Sequence, residues 1–233
     1  MPAAPAHAVL ALIPAYNEAA AIAPVIGGAL AHLPVLVVDD GSQDETSALA
    51  AAAGATVLQQ KPNQGKGAAL RAGFRWAVDQ GFAAVVTLDA DGQHDPGEIP
   101  AFLAASRGAN RPDLVIGARD FSQIPFVRRL ANTLGRWSFS WAVGQPIPDN
   151  QSGYRLLTKR MMEATLDSHE QGFEFEVEMI VVCIEQDYEL AWVPIRTIYG
   201  GETSHISPLH HTRQFSRVVW QTRQRMHRQP QRT

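Results

Sequence analysis

Two aspartates flanking one small residue, Asp89-Ala-Asp91, carry the clearest chemical signal in the sequence. They follow the apolar run Val85–Leu88, and an extended backbone turns residues i and i+2 to the same side, so both carboxylates can face one ligand. Gln93 adds a neutral oxygen at the next same-side position, which makes a donor set suited to a hard divalent cation, Mg2+ or Mn2+. An EF-hand is excluded, because His94 and Pro100 stand where that loop needs glycine and glutamate. A solvated turn or a helix cap is the alternative use of the same residues.

Other polar residues gather at the ends of apolar runs. Asp39 and Asp40 follow Val35–Val38, where an acid can bond a ribose hydroxyl or a base edge; for Asp40, capping a helix begun at Ser42 is the competing reading. Asn63-Gln-Gly-Lys-Gly67 is a flexible cationic loop ahead of a helix, fit to approach phosphates through its backbone and Lys66. Neither a Walker A loop nor a Gly-x-Gly-x-x-Gly turn is present.

These residues need a scaffold that brings strand ends together. Strands are predicted at Val9–Ile13, Val35–Val38, Ala55–Leu58, Val85–Leu88 and Leu114–Gly117, and helices near Ala19–Leu30, Glu45–Ala53, Ala68–Gln80 and Pro96–Ser106. Ser42 with Glu45, and Asp95 with Pro96 and Glu98, read as helix-start boxes; Gly54 and Gly81 read as stops. Alternating strands and helices give an α/β fold with a mostly parallel, Rossmann-like sheet flanked by helices, in which ligands bind beyond the carboxyl ends of the strands. The second half reads as helix over Val127–Val143, extended chain at Arg155–Leu157, helix over Phe173–Gln186 and strand over Ala191–Tyr199.

Composition bounds the rest. A 233-residue chain with 45% hydrophobic and 18% charged residues folds as a globule, not as a disordered or collagenous chain. A single cysteine, Cys183, rules out an internal disulfide framework and a four-cysteine zinc site, and it sits in the apolar run Ile180–Ile184 as a buried thiol would. No apolar run approaches the roughly 20 residues of a membrane span, and the start lacks the basic residues of a signal peptide, so a cytoplasmic location is expected. Trp76, Trp137, Trp141 and Trp220 are expected in the core or at an interface.

The charge is uneven. Six arginines and no acid between Thr203 and Thr233 make that tail +6, which leaves −9 for the rest of a chain of net charge −3. Phe215, Val218, Val219, Trp220 and Met226 form a partial apolar stripe among those arginines, the composition of an amphipathic helix lying on an anionic membrane surface. Packing of that helix on the globule, or on a second copy of the chain in a homo-oligomer, is the alternative. Two units are therefore expected: a domain over residues 1–208 and a basic amphipathic helix or tail over 209–233.

The joint order of Pro14-Ala-Tyr-Asn-Glu18, Val38-Asp-Asp-Gly-Ser42, Asn63-Gln-Gly-Lys-Gly67 with Arg71 and Gly73, Asp89-Ala-Asp-Gly-Gln-His94, Gly117-Ala-Arg119 and Asp149-Asn-Gln-Ser152-Gly153-Tyr154-Arg155 resembles family 2 glycosyltransferases. Within them it looks most like the dolichyl-phosphate mannose synthase or polyprenyl-phosphate glycosyltransferase branch, over about Val9 to Pro208. The resemblance implies a GT-A fold and inverting transfer of a hexose from a nucleoside-diphosphate sugar, GDP-mannose or a UDP-sugar, to a polyprenyl phosphate. It implies a metal on Asp89, Asp91 and Gln93; Pro14, Tyr16, Glu18 and Asp39 around base and ribose; Lys66 and Arg71 on the donor side; and Arg119 with Arg128-Arg129 on the acceptor phosphate. Ile195–Gly200 through Ser204-His205 resembles a loop that closes over the donor, with His205 where many synthases carry Lys. The basic tail adds the expectation of a peripheral position at the inner face of the cytoplasmic membrane, and no nucleic-acid partner is expected.

A departing nucleoside diphosphate leaves negative charge that a metal and cationic side chains stabilise, so Asp91 counts among the catalytic residues. A lipid phosphate is already largely ionised at neutral pH and supplies its own nucleophile; a sugar hydroxyl would need a base, for which Asp149 is the candidate, unless it is merely a turn residue after Pro146 and Pro148. A sugar nucleotidyltransferase and a non-catalytic nucleotide-sugar-binding protein are the competing classes.

Overall fold

The computed structural model describes residues 8–120, 126–172, 174–196, 198 and 217–226, without the side chains of 126–132. Seven strands form one sheet in the order β3-β2-β1-β4-β6-β5-β7: β1 Val9–Ala15, β2 Val35–Asp39, β3 Thr56–Gln59, β4 Ala84–Thr87, β5 Leu114–Arg119, β6 Arg155–Thr158 and β7 Leu190–Ile195. Every neighbouring pair is parallel except those made by β6, which runs antiparallel between β4 and β5. The helices are α1 Ile22–Leu30, α2 Thr46–Ala52, α3 Lys66–Asp79, α4 Ile99–Ser106, α5 Phe126–Val143, α6 Lys159–Thr165 and α7 Glu174–Glu185, with helical turns again over 217–226, called α8 below.

The strands read as unbroken apolar runs because both of their faces are covered. Leu10, Leu12, Leu36 and Val38 turn to one core with α3, α5, α6 and α7, while Ala11, Ile13, Val35 and Val37 turn to a second core with α1, α2 and α4. Gly73 lets α3 lie tightly on β1, since a Cβ there would come 2.4 Å from Leu12 Cδ1.

Several boundaries differ from the expectation, each for a local reason. Strand β1 runs on through Pro14. Its pairing with β4 ends at Leu12, so the missing proline N–H falls where no ladder bond is needed. The box expected at Ser42 and Glu45 is absent: α2 starts at Thr46, whose N–H donates to Asp44 Oδ1 at 3.0 Å, and Ser42 Oγ accepts the N–H of Asn17 at 2.9 Å. Asp95 does cap, accepting the Gly97 N–H at 2.8 Å, but it opens a single turn of 3-10 helix at Pro96–Glu98 ahead of α4. Helix α6 was not expected, because its seven residues are too few for a periodic signal.

Helix α8 corrects the reading of the tail. Val219 is buried, and Val218 and Met226 pack with it on the core that includes α7. Arg225 pairs with Glu178 at 2.8 Å and Glu185 at 2.6 Å, and the Arg223 guanidinium lies 4.7 Å over the Trp141 ring. The apolar stripe and two of the arginines meant for a membrane thus face protein, while Trp220 is exposed. Phe215 and the 208/209 boundary lie outside the described residues. No helix among the described residues is long and apolar enough to cross a membrane.

Candidate active site

Strand order reverses direction between β1 and β4, the position where open α/β sheets bind ligands. Pairing of these two strands ends at Leu12 and Thr87, and a cleft of about 400 Å³ lies beyond that end. Pro14, Ala15, Tyr16 and Glu18 form one wall, Asp40, Asn63, Gly65 and Lys66 a second, and Asp89, Ala90 and Asp91 the floor.

The first two walls are tied together by backbone donors. Asn17, at φ 56°, holds the β1 end against the β2 end: its Oδ1 accepts the Gln43 N–H at 2.8 Å, and the Glu18 N–H donates to Thr46 Oγ1 at 2.8 Å. Asp39 is buried and accepts the Ser42 N–H at 2.8 Å and the Ser47 hydroxyl, so it shapes the loop. Its neighbour Asp40 lines the cleft. Asp40 caps no helix at Ser42; it accepts the N–H groups of Gln64 at 2.9 Å and Gly65 at 2.7 Å and so clamps the cationic loop. Gly65 takes φ 93° there, and a Cβ would lie 2.6 Å from the Gln171 carbonyl oxygen.

Lys66 is the first residue of α3. Its Nζ lies 2.5 Å from Asp89 Oδ1 and 2.8 Å from Glu176 Oε1 on α7. Burial acts against the charged lysine, yet the two carboxylates override it and raise its pKa. Burial acts likewise against the Asp89 carboxylate, and Lys66 overrides it, holding the group down at about 2. Asp91 moves the other way, raised chiefly by burial. Its Oδ1 accepts the Gln93 N–H at 2.9 Å, and the Gln93 carbonyl accepts the Ile198 N–H at 3.0 Å, so the aspartate loop is joined to the chain beyond β7. His94 is buried; its Nδ1 accepts the Asp89 N–H at 3.1 Å, and burial lowers its pKa, so the neutral ring closes the turn.

Two hard carboxylates at a strand end, with room above them, fit a Mg2+ or Mn2+ ion whose remaining ligands come from water and substrate phosphate. Among the described residues no cluster of three or more His, Cys, Asp or Glu forms a metal cage.

Arg119 and Asp149, assigned separate duties from the sequence, form one unit. Arg119 Nε and Nη2 donate to Asp149 Oδ2 and Oδ1 at 2.7 and 3.0 Å, a bidentate pair. The carboxylate also accepts the N–H groups of Gln151 and Ser152 at 3.0 and 3.2 Å. Arg71 is half-buried, its guanidinium on the Glu170 carbonyl and 5.1 Å from the Phe175 ring centroid. The Arg128 and Arg129 side chains and Ser204-His205 lie outside the described residues.

Sequence reasoning gave no role to Glu176, Gly153 or Arg155. A Cβ on Gly153 would come 2.9 Å from both Asp89 carboxylate oxygens and from Glu176 Oε1, so glycine is what lets the two acids share Lys66. Arg155 is fully buried and donates to the backbone carbonyls of Ser152 and Glu176. An acid standing between the apolar Phe175 and Val177 in the first turn of α7 was the available signal for Glu176.

The sequence model of Glycosyl transferase family 2 matches residues 11–162, well over half of the chain and all of the cleft. The chain belongs to this family. As a family 2 glycosyltransferase it is an enzyme, and the nucleotidyltransferase and non-catalytic readings fall. Among its relatives, undecaprenyl-phosphate mannosyltransferase of Micrococcus luteus is 34% identical over 205 residues, 80% of this chain and 82% of that protein. Polyprenol monophosphomannose synthase of Mycolicibacterium smegmatis is 33% identical, over 82% and 77% of the two chains. Glucosyl-3-phosphoglycerate synthase of Mycobacterium tuberculosis, crystallised with Mn2+, UDP-glucose and phosphoglyceric acid, superposes with a TM-score of 0.73 over 97% of this chain and 82% of that one; at 20% identity the likeness is one of fold, the GT-A fold.

Proposed function

We propose that this enzyme transfers a hexose, with inversion, from a nucleoside-diphosphate sugar to a polyprenyl phosphate. The observation that carries the choice of acceptor is the state of Asp149. A hydroxyl nucleophile needs a base, and this carboxylate has both oxygens committed to Arg119 and to backbone N–H groups. An ionised lipid phosphate needs positioning in place of a base. The two relatives named for transfer to undecaprenyl phosphate and polyprenol phosphate support the same choice.

In this reading Tyr16, Glu18 and Asp40 receive the nucleoside in the cleft, and Asp89 and Asp91 hold Mg2+ or Mn2+ with Gln93 beside them. The metal, when bound, neutralises charge on the diphosphate leaving group. Lys66 supplies a further cation at the same point, and Arg119 with Arg129 takes the acceptor phosphate. The sugar remains GDP-mannose or a UDP-hexose, since a 26% identical relative from Methanococcus voltae is named for UDP-N-acetylglucosamine.

The acceptor reaches the cleft from a membrane, and we assign docking to the protein face where Leu134, Trp137 and Trp141 of α5 and Trp220 of α8 stand exposed at 58, 71, 55 and 62%. In this reading the enzyme sits at the inner face of the cytoplasmic membrane, with residues 1–208 as the catalytic unit and 209–233 as its basic C-terminal segment.

The test is release of nucleoside diphosphate from GDP-mannose and UDP-hexoses with Mn2+, given either a polyprenyl phosphate or the matching polyprenol. Turnover is expected with the phosphate alone. Comparable turnover with the alcohol overturns the acceptor assignment and returns Asp149 to the role of base.

A further inference from the structure

We propose that Glu176 is a positioning residue for Lys66: a buried counter-ion that keeps the lysine in the site when Asp89 turns from it to a divalent cation, leaving the ammonium free to turn to the donor diphosphate. The inference rests on the donor-site reading above.

Lys66 touches two carboxylates of unequal kind. The Asp89 side chain is 25% exposed and opens on the cleft; that of Glu176 is 4% exposed and does not. Asp89 can exchange partners with ligands that enter from solvent. Glu176 cannot; Lys66 bridges it at 2.8 Å, and the Arg155 and Arg119 guanidiniums add attraction from further off. An ionised carboxylate at that depth is tolerated only while paired, so the Lys66–Glu176 contact is the one that persists when a dication competes for Asp89.

The backbone supports this division. Lys66 occupies the first turn of α3, where the helix dipole opposes a positive charge, so the acids and not the helix hold the ammonium in place. Glu176 is fixed from behind, since the buried Arg155 guanidinium grips its backbone carbonyl. Glu174 and Glu178 of the same helix line a groove against α8, where Glu178 pairs with Arg225, and Glu176 alone of these acids reaches the cleft lysine. Gly153 provides the space in which the Asp89 and Glu176 oxygens approach a common point. Asp89 and Glu176 thus hold one ammonium, and Asp91 adds a further negative charge at the cleft floor, a balance that attracts a cation and needs an internal one to spare for an incoming diphosphate.

The experiment is titration with Mn2+ alone, followed by electron paramagnetic resonance, on wild type, Glu176→Gln, Lys66→Met and the double variant, with a thermal melt of each to establish folding. Without Glu176 the lysine is left wholly to Asp89 and competes with the metal, so Glu176→Gln should weaken Mn2+ binding by about 10-fold or more. In the Lys66→Met background the same substitution should change the Kd by less than about 2-fold, the mark of an effect transmitted through the lysine. Should Glu176→Gln fail to fold, Glu176→Asp keeps the charge and draws it back, and an intermediate weakening is expected. A wild-type protein that binds no Mn2+ overturns the donor-site reading and this inference with it. Wild-type binding with an unchanged Kd in a folded Glu176→Gln, or an equal loss in both backgrounds, overturns the inference alone.

Discussion

The guanidinium of Arg119, at the end of β5, holds the carboxylate of Asp149 through two parallel hydrogen bonds of 2.7 and 3.0 Å, and the Asp149 side chain is only 1% exposed. Arg119→Ala would strand that carboxylate, at a cost of about 3 kcal/mol. For a chain of this size the melting temperature should fall by about 6–12 °C. Arg119→Lys restores the charge without the two-pronged geometry and should recover less than half of the loss. A melt of Arg119→Ala that coincides with wild type would mean the pair is not maintained in solution.

Asp91→Ala should leave the fold intact and remove the metal requirement along with donor binding. Asp91 is half-buried at the cleft floor, and its hydrogen bond supports only its own turn. Thermal shift with a nucleotide sugar, with and without Mn2+, reads this directly, because bound ligand raises apparent stability by mass action. Sugar transfer at the wild-type rate by Asp91→Ala in EDTA would refute the assignment.

Gly153→Ala places a methyl group 2.9 Å from three carboxylate oxygens of Asp89 and Glu176. Those oxygens cannot retreat without releasing Lys66, so overpacking of about 1–3 kcal/mol should be accompanied by loss of the Mn2+-dependent donor shift. A variant that is destabilised but binds donor normally would show that the acids can move apart at no functional cost.

The Asp113 carboxyl is pushed up by burial, but Arg160, Thr158 and the Glu189 N–H, all hydrogen-bonded to it, bring it below its ordinary value of 3.8. A group depressed by folding stabilises the native state above its unfolded pKa and loses that contribution as the pH falls through the folded value. Melting temperature should therefore decline below about pH 4. Asp113→Asn should be less stable than wild type at pH 7 and show a shallower decline in acid; parallel curves for the two proteins would count against this carboxylate as an acid-labile tie.

Trp137 and Trp141 lie one turn apart on α5, both exposed, with the Arg223 guanidinium of α8 over one side of the Trp141 ring. The double variant Trp137→Ser with Trp141→Ser should keep its fold and float markedly less with phosphatidylglycerol vesicles than wild type. Undiminished flotation would remove this face as the docking surface.

The sequence by itself determined the sheet and the floor of the cleft. Unbroken apolar runs ending in Asp39-Asp40 and Asp89-Ala-Asp91 require strands covered on both faces with acids at one end, and local chemistry places them there wherever the neighbouring strands fall. Asp95 could be recognised as a cap for the same reason, since its partner is two residues away. Tertiary structure decided everything that depends on residues distant along the chain. Arg119 and Asp149 are 30 residues apart, so their pairing follows from β5 ending beside the turn before β6. Lys66 and Glu176 meet only because the start of α3 lies under α7, across a glycine whose lack of a side chain is its contribution. The α8 stripe read as a membrane face because amphipathicity records only that one side of a helix is apolar. Which surface covers that side was settled by the complementary faces of α7 and α5, a fact that no window of local sequence contains.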